Sequence, residues 1–501
     1  MDGERAAHLI GLLVRCDSSA VMGTGHAMRC LALATELAKR GFRPVFASRP
    51  LPGHIGAVIQ HWGFDLRGLP DSEPLDEVAD ARACAALADG TSWAAVLVDH
   101  YQLGAAWEQA MKAHAGLVIA IDDLADRSHA ASLLIDHNLQ APGRYDRLLP
   151  PGALTLLGPR HALLREEFRD PPLRTPAADG RARVLVSLGG ADADGVTLEV
   201  VQALAQVNQP MHVTVIGGPR NPHGAAIEQA CRQQGYDYLA SSEQMAALMR
   251  KADFGVGAGG VSLLERCAMG LPSVTVLLAD NQRAGSRMAA EAGATSLVEQ
   301  GGAGRSAAIA QAAKALLGDA AARARMAAAA RKVCDGEGCR RVAEVVQREV
   351  LQLRPAAASD AQMLFDWRNA PEVRRYSGDG QPIAFGSHRD WLARTLADPD
   401  RVLWIAEAGG QPQGVLRFDR QSDASARISV YRVPGAPGIG WGRALIARGV
   451  REIAARWPGL QSVEAEVSDD NAASLKAFAA CGFTPHGAGG LYRVSIEGRP
   501  A

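Results

Sequence analysis

Residues 9–37 read LIGLLVRCDSSAVMGTGHAMRCLALATEL, and this stretch decides the fold class. Residues 9–15 are a nearly unbroken apolar run. Such a run fits a strand buried on both faces better than one with a wet side. From Met28 onward, Cys30, Leu33, Ala34 and Leu37 recur at helical spacing, and Gly41 after Lys39-Arg40 supplies a C-terminal stop. Between strand and helix stand Asp17-Ser18-Ser19 and Gly23-Thr24-Gly25-His26. Two glycines ahead of a helix let a ligand approach the backbone and meet the first N–H groups. Open α/β sheets bind ligands at this place, outside the carboxyl end of a parallel strand. His26 carries two readings from this pattern. Its imidazole takes a proton from water as a general base, or it merely caps the helix or binds substrate.

Outward from this unit, apolar runs at 44–48, 95–99, 117–122 and 133–136 alternate with helix-length segments. A second series follows at 184–188, 212–217, 253–257 and 273–278. Strand–helix alternation of this kind builds right-handed βαβ units and an open, mostly parallel sheet. Residues 170–183 (DPPLRTPAADGRAR) carry three prolines without periodicity and read as a linker. An Ala-rich helical stretch over 307–332 closes this part. From Leu351 the pattern changes: 402–406, 414–418, 426–431 and 462–467 read as strands of a more open sheet, the last alternating Val463, Ala465 and Val467 with Glu464 and Glu466. The domains expected are 1–170, 181–345 and 351–495.

The second half repeats the glycine chemistry. Ser187-Leu188-Gly189-Gly190-Ala191-Asp192 follows a strand, and its glycines expose N–H groups suited to a diphosphate. Asp192-Ala193-Asp194 has the look of a D-x-D metal motif, yet acids at a strand-to-helix junction also cap helices. Gly257-Ala258-Gly259-Gly260-Val261-Ser262-Leu263-Leu264-Glu265 places a carboxylate one turn inside a helix, where it can accept both ribose hydroxyls. The bland reading of Glu265 is a solvated helix charge. In the third domain, Pro437-Gly438-Ile439-Gly440-Trp441-Gly442-Arg443 opens an amphipathic helix and offers a pyrophosphate loop.

The chain has 501 residues, too many for one ordinary core, with 48% hydrophobic and 21% charged residues. Lys plus Arg number 53 against 54 Asp plus Glu, a net charge of -1 that advertises no nucleic-acid partner. The eight cysteines are scattered without Cys-x-x-Cys pairing, so no metal is indicated, Cys334 and Cys339 included. The N-terminus lacks a secretory pattern, and no apolar run reaches membrane-spanning length. A cytoplasmic protein without a membrane partner is expected; the oligomeric state stays open.

Residues 15–37 closely resemble the start of the UDP-2,4-diacetamido-2,4,6-trideoxy-β-L-altropyranose hydrolases of pseudaminic acid biosynthesis. The likeness continues through Val98-Asp99-His100-Tyr101, Ile121-Asp122-Asp123-Leu124-Ala125-Asp126-Arg127, Asp136-His137-Asn138-Leu139 and Leu163-Leu164-Arg165-Glu166-Glu167-Phe168. It implies an α/β fold: a GT-B-like pair of Rossmann domains, similar to MurG, with His26 as catalytic base and Asn281 near the reacting sugar. Asp17, Gly25, Arg165, Gly189, Gly190, Gly260, Ser262, Glu265 and Gln282 then bind the UDP-sugar. The third domain resembles the GNAT N-acetyltransferases, an α+β fold, through the 437–443 loop together with Val467-Ser468-Asp469-Asp470-Asn471 and Ser474-Leu475-Lys476-Ala477-Phe478. That resemblance implies acetyl-CoA as co-substrate, held by Ile439, Gly440, Gly442, Arg443, Asn471 and Phe478. Two departures stand out. Pro437 replaces the usual Gln or Arg, and Phe478 stands where many members have a thiolate-protonating Tyr. Glu407 and Glu464 are the candidate bases. Alternatives are a GT-B glycosyltransferase that moves the sugar to an acceptor, and a GNAT part that only binds acetyl-CoA.

Overall fold

The computed structural model describes residues 9–71, 74–88, 92–139, 143–170, 179–189, 192, 194–218, 221–377, 380–487 and 489–496. The chain folds as two compact units, one of Met1–Ala27, Ala34–Ile119 and Val342–Ala501, the other of Met28–Leu33 and Ala120–Arg341.

Strands β1 (Ile10–Cys16), β2 (Phe42–Ser48), β3 (Asp65–Gly68), β4 (Ala95–Asp99), β5 (Val118–Ile121), β6 (Leu133–Asp136) and β7 (Leu154–Leu157) form a sheet in the order β3-β2-β1-β4-β5-β6-β7. The β1–β2, β1–β4, β2–β3 and β6–β7 pairs are parallel. Leu12, Leu13 and Val14 of β1 are fully buried, as an apolar run without alternation requires. Helix α1 (Gly25–Ala38) buries Cys30, Leu31, Leu33, Ala34 and Leu37; each such Leu contributes about 1.5–3 kcal/mol. Gly41 then takes the left-handed conformation (φ 88°), donates to Ala38 O and accepts from Ile10 N–H, so the helix stop also opens β1.

In the second unit, β8 (Ala182–Ser187), β9 (Met211–Ile216), β10 (Asp237–Leu239), β11 (Phe254–Ala258), β12 (Ser273–Val276) and β13 (Ser296–Val298) form a parallel sheet ordered β10-β9-β8-β11-β12-β13. Helix α2 (Val196–Ala205) packs Val200 and Val201 into a core with Val186, Val215, Phe254 and Val274. Helices α3 (Val261–Ala268) and α4 (Arg283–Glu291) follow β11 and β12. The Ala-rich stretch is two helices, α5 (Ala303–Gly318) and α6 (Ala320–Val333), rather than one. Asp319 breaks them by accepting from the Ala322 N–H (2.8 Å), local capping that outcompetes helix continuation. Helix α7 (Gly338–Glu349) leads to the last sheet.

That sheet holds β14 (Gln352–Pro355), β15 (Arg401–Ala408), β16 (Gln411–Ser422), β17 (Ser425–Arg432), β18 (Ser462–Glu466), β19 (Thr484–Pro485) and β20 (Leu491–Ser495), ordered β14-β15-β16-β17-β18-β20-β19. Its pairs are antiparallel except β17–β18. The parallel pairing runs only from Ser425↔Ser462 to Ile428↔Ala465, while β17 continues beside β16 to Arg432. Helices α8 (Trp441–Arg456) and α9 (Ala472–Ala480) follow β17 and β18.

Strands absent from the sequence reading are β3, β7, β10, β13, β14, β19 and β20. They are short, and residues such as Asp65, Arg67, Leu157, Asp237 and Gln352 are exposed, so no continuous apolar run marks them.

Candidate functional site

At the carboxyl end of β1, Asp17 is fully buried and bound on all sides. Arg15 approaches it at 2.6 Å, Arg49 at 2.8 Å and His100 Nε2 at 3.2 Å. Burial works against this carboxylate, but His100, Arg15 and Arg49 hold it well below the ordinary carboxylate range. Asp17 therefore shapes the loop, its carboxylate held by Arg15, Arg49 and His100. Ser19 and Gly23 pair across a tight turn in which Gly23 is left-handed (φ 84°), and Gly25 opens α1.

His26, in the first turn of α1, is buried. Its Nδ1 lies 2.5 Å from Asp99 Oδ1, and Tyr101 packs edge-to-face on the ring at 4.5 Å. Asp99 ends β4, directly opposite Cys16 of β1. With Nδ1–H given to the carboxylate, the neutral imidazole carries its lone pair on Nε2. In sequence alone, Val98-Asp99-His100-Tyr101 gives Asp99 and Tyr101 no role. The available signal was positional, because β1, β4, β5 and β6 each run into an Asp (Asp17, Asp99, Asp122, Asp136).

In the second unit a cavity of about 130 Å³ is lined by Asp123, His137, Asn138, Gly260, Asn281 and Gln282, among others. Three expected residues, Gly260, Asn281 and Gln282, thus share one space. Gly260 caps α3 with a left-handed backbone (φ 67°) that a side chain would strain. Asp123 Oδ1, Gln282 Oε1 and Ser286 Oγ are buried here without a hydrogen-bond partner. Buried polar atoms left unpaired are costly, which suits a cavity that takes a polar ligand. Its walls are braced from below. Asp122 accepts from Arg127 (2.7 Å) and Ala125 N–H (2.8 Å), Asp136 accepts from Asn138 N–H (2.9 Å), and the two share the single Tyr145 hydroxyl proton, 3.1 Å from Asp122 and 3.0 Å from Asp136.

Ser262 and Glu265 line a smaller recess of about 20 Å³ with Ser187 and Arg266. Burial pushes the Glu265 carboxyl up to about 7, against the pull of Arg165 and Arg266. Arg165 is thereby near Glu265, and it pairs with Glu167 at 2.7 Å. Gly189 (φ 108°) follows β8, and Gly190 lies outside the described residues. Asp192 accepts from Val196 N–H (2.9 Å) and Thr197 N–H (2.7 Å), the capping arrangement.

In the C-terminal sheet, Gly440 (φ 86°) caps α8 and Gly442 lies in its first turn. Ile439 is exposed. Arg443 pairs with Glu344 at 2.7 Å. Asn471 caps α9 through its side-chain oxygen, which accepts from Ser474 N–H (3.1 Å). Phe478 is buried edge-to-face on Phe483 and carries no acid. Glu407 is held by Arg354 (2.7 Å) and Glu464 by Arg493 (2.6 Å), so each candidate base is already an ion-pair partner. Sequence reading missed Arg432, whose guanidinium binds the Ala436, Pro437 and Gly438 carbonyls (2.7, 3.2 and 3.1 Å).

Residues 351–484 match the acetyltransferase (GNAT) domain family. The chain is 24% identical over 247 residues, 48% of its length and 82% of the other, to the UDP-2,4-diacetamido-2,4,6-trideoxy-beta-L-altropyranose hydrolase of Campylobacter jejuni. It is 27% identical over 140 residues to the spore coat polysaccharide biosynthesis protein SpsG of Bacillus subtilis, covering 27% of this chain and 41% of that one. The crystal structure of Acinetobacter baumannii MurG superposes with a TM-score of 0.51 at 15% identity, over 68% of this chain and 99% of MurG. The chain is a hydrolase-like, GT-B-type α/β part fused to a GNAT domain. Within this fusion no helix of the described residues is long and apolar enough to cross a membrane.

Proposed function

We propose that the α/β part hydrolyses a UDP-linked 2,4-diacetamido-2,4,6-trideoxy-altropyranose and that the GNAT domain acetylates the 4-amino group of its precursor with acetyl-CoA. The observation that carries the first reaction is the buried His26–Asp99 pair at 2.5 Å. His26 takes a proton from water as the water oxygen bonds to C1; the C1–O bond breaks, UDP leaves with the electron pair, and the anomeric centre inverts. General base help of this kind contributes about 10² to 10⁴ in rate. Gly25, Gly189, Gly190 and Gly260 offer backbone N–H groups to the diphosphate, Ser262 and Glu265 take the ribose, Arg165 adds charge, and Asn281 and Gln282 take the sugar. In the second reaction the amine nitrogen bonds to the acetyl carbon, the C–S bond breaks, and coenzyme A leaves as a thiolate that takes up the proton released by the nitrogen. Ile439, Gly440, Gly442 and Arg443 hold the pyrophosphate, and Asn471 and Phe478 line the pantetheine arm. The family match over 351–484 supports this reading. The proposed domains are 1–170, 181–345 and 351–495, working in the cytoplasm on two consecutive steps.

The test combines a variant with a label. A His26→Ala chain binds UDP and loses hydrolysis, and retained turnover removes His26 from the mechanism. In heavy-oxygen water the label enters the free sugar and not UDP. Mass analysis of the amino-sugar nucleotide incubated with acetyl-CoA reads the second reaction directly.

A further inference from the structure

The glycine loop that opens α8 is moulded on the end of α1. Ile439 N–H donates to Lys39 O (3.3 Å), and the Trp441 indole N–H donates to Arg40 O (2.8 Å). Trp441 is fully buried and stacks on Phe42, the first residue of β2, with ring centroids 5.9 Å apart. Gln347 of α7 gives its amide N–H to Ile439 O (2.8 Å) and accepts from Arg40 (2.8 Å), which also pairs with Glu36 at 3.0 Å. Glycines make this approach possible. A side-chain carbon on Gly438 would strike the Arg40 backbone, and one on Gly440 would fall 2.6 Å from both Arg40 Nη1 and Gln347 Oε1.

The consequence is directional. Arg432 binds the carbonyls of Ala436, Pro437 and Gly438, and Gln347 binds that of Ile439. Four successive carbonyl oxygens are thus turned onto protein donors, a geometry that presents the N–H groups at the start of α8 to an anion. Pro437 itself has no N–H and no side-chain donor, so the loop cannot be braced from its own first residue.

We infer that Arg40, from the hydrolase-like part, and Gln347, from the connecting helix, are positioning residues of the acetyl-CoA site. This rests on the reading that the GNAT loop takes the pyrophosphate of acetyl-CoA. Affinity for that co-substrate belongs to the joined chain and not to residues 351–495 alone.

The experiment uses the full chain, with acetyl-CoA and UDP titrated calorimetrically and acetyl transfer followed at steady state. Arg40→Gln and Gln347→Met raise the acetyl-CoA Kd and KM by about tenfold, the effect of losing a buried charged hydrogen bond. The turnover number stays within about twofold, since the loss is one of binding. Arg40→Lys recovers part of the affinity. Trp441→Phe, which keeps an aromatic ring against Phe42 but loses the N–H and the rest of the buried indole, shifts Kd in the same direction and decides the matter if the Arg40 variants lose UDP binding through misfolding. Unchanged acetyl-CoA affinity in variants with native UDP binding overturns the inference alone. Failure of the unaltered chain to bind acetyl-CoA overturns the inference and the acetyl-transfer reading together.

Discussion

A carboxylate that accepts from one imidazole nitrogen chooses which nitrogen keeps the lone pair, and Asp99 does this for His26. Asp99→Asn keeps the shape and loses the charge. We expect the hydrolytic kcat to fall by about 10² or more with the UDP Kd unchanged; native turnover in that variant would remove Asp99 from the site. Glu265 gives a pH prediction. Burial raises its carboxyl from an ordinary 4.5 to about 7, so between these values the folded chain holds a proton that the unfolded chain releases. Stability from this group is therefore present below pH 4.5, declines as pH rises and is lost above about 7. Glu265→Gln should melt higher than the parent above pH 7 in calorimetric scans, and equal midpoints would refute the burial argument. His26 was legible because glycines and a helix start surround it. Asp99 was not, because it lies 73 residues away and reaches the ring only through β1–β4 pairing.

At the scale of elements, β11 shows a glycine alternation with a packing cause. Arg266 of α3 is buried, donates to Ala258 O (2.7 Å) and Thr275 Oγ1 (3.1 Å), and is lowered to about 10 by burial. Its side chain runs along the face that Gly255 and Gly257 leave bare; a carbon on Gly257 would meet the guanidinium and come within 2.7 Å of Ser187 O. Gly257→Ala should cost about 1–3 kcal/mol in urea unfolding, the usual effect of overpacking. A neutral outcome would show that Arg266 moves freely. The Phe-Gly-Val-Gly-Ala sequence was readable as a strand. That its glycines make room for an arginine was not, since the occupant comes from the following helix.

At the scale of the whole molecule, the first unit joins the N-terminal strands to the C-terminal sheet. Trp441 covers Phe42, and Arg448 and Arg451 hold Glu349 of α7 (3.4 and 2.9 Å). A chain ended after Val350 would uncover Phe42, leave the Arg40 carbonyl without the Trp441 N–H and leave Glu349 without Arg448 and Arg451, so its melting midpoint should drop below that of the full chain. Equal midpoints in the two chains would show that the junction stabilises neither part. The strand–helix alternation, the glycine turns and the family likenesses all lay in the linear sequence, because periodicity and backbone conformation are set by neighbouring residues. Which carboxylate orients His26, that Asp17 is consumed by arginines, and that the GNAT loop rests on the end of α1 were decided only by the folded chain. Those are properties of pairs brought together by burial, and nothing local in either partner encodes the other.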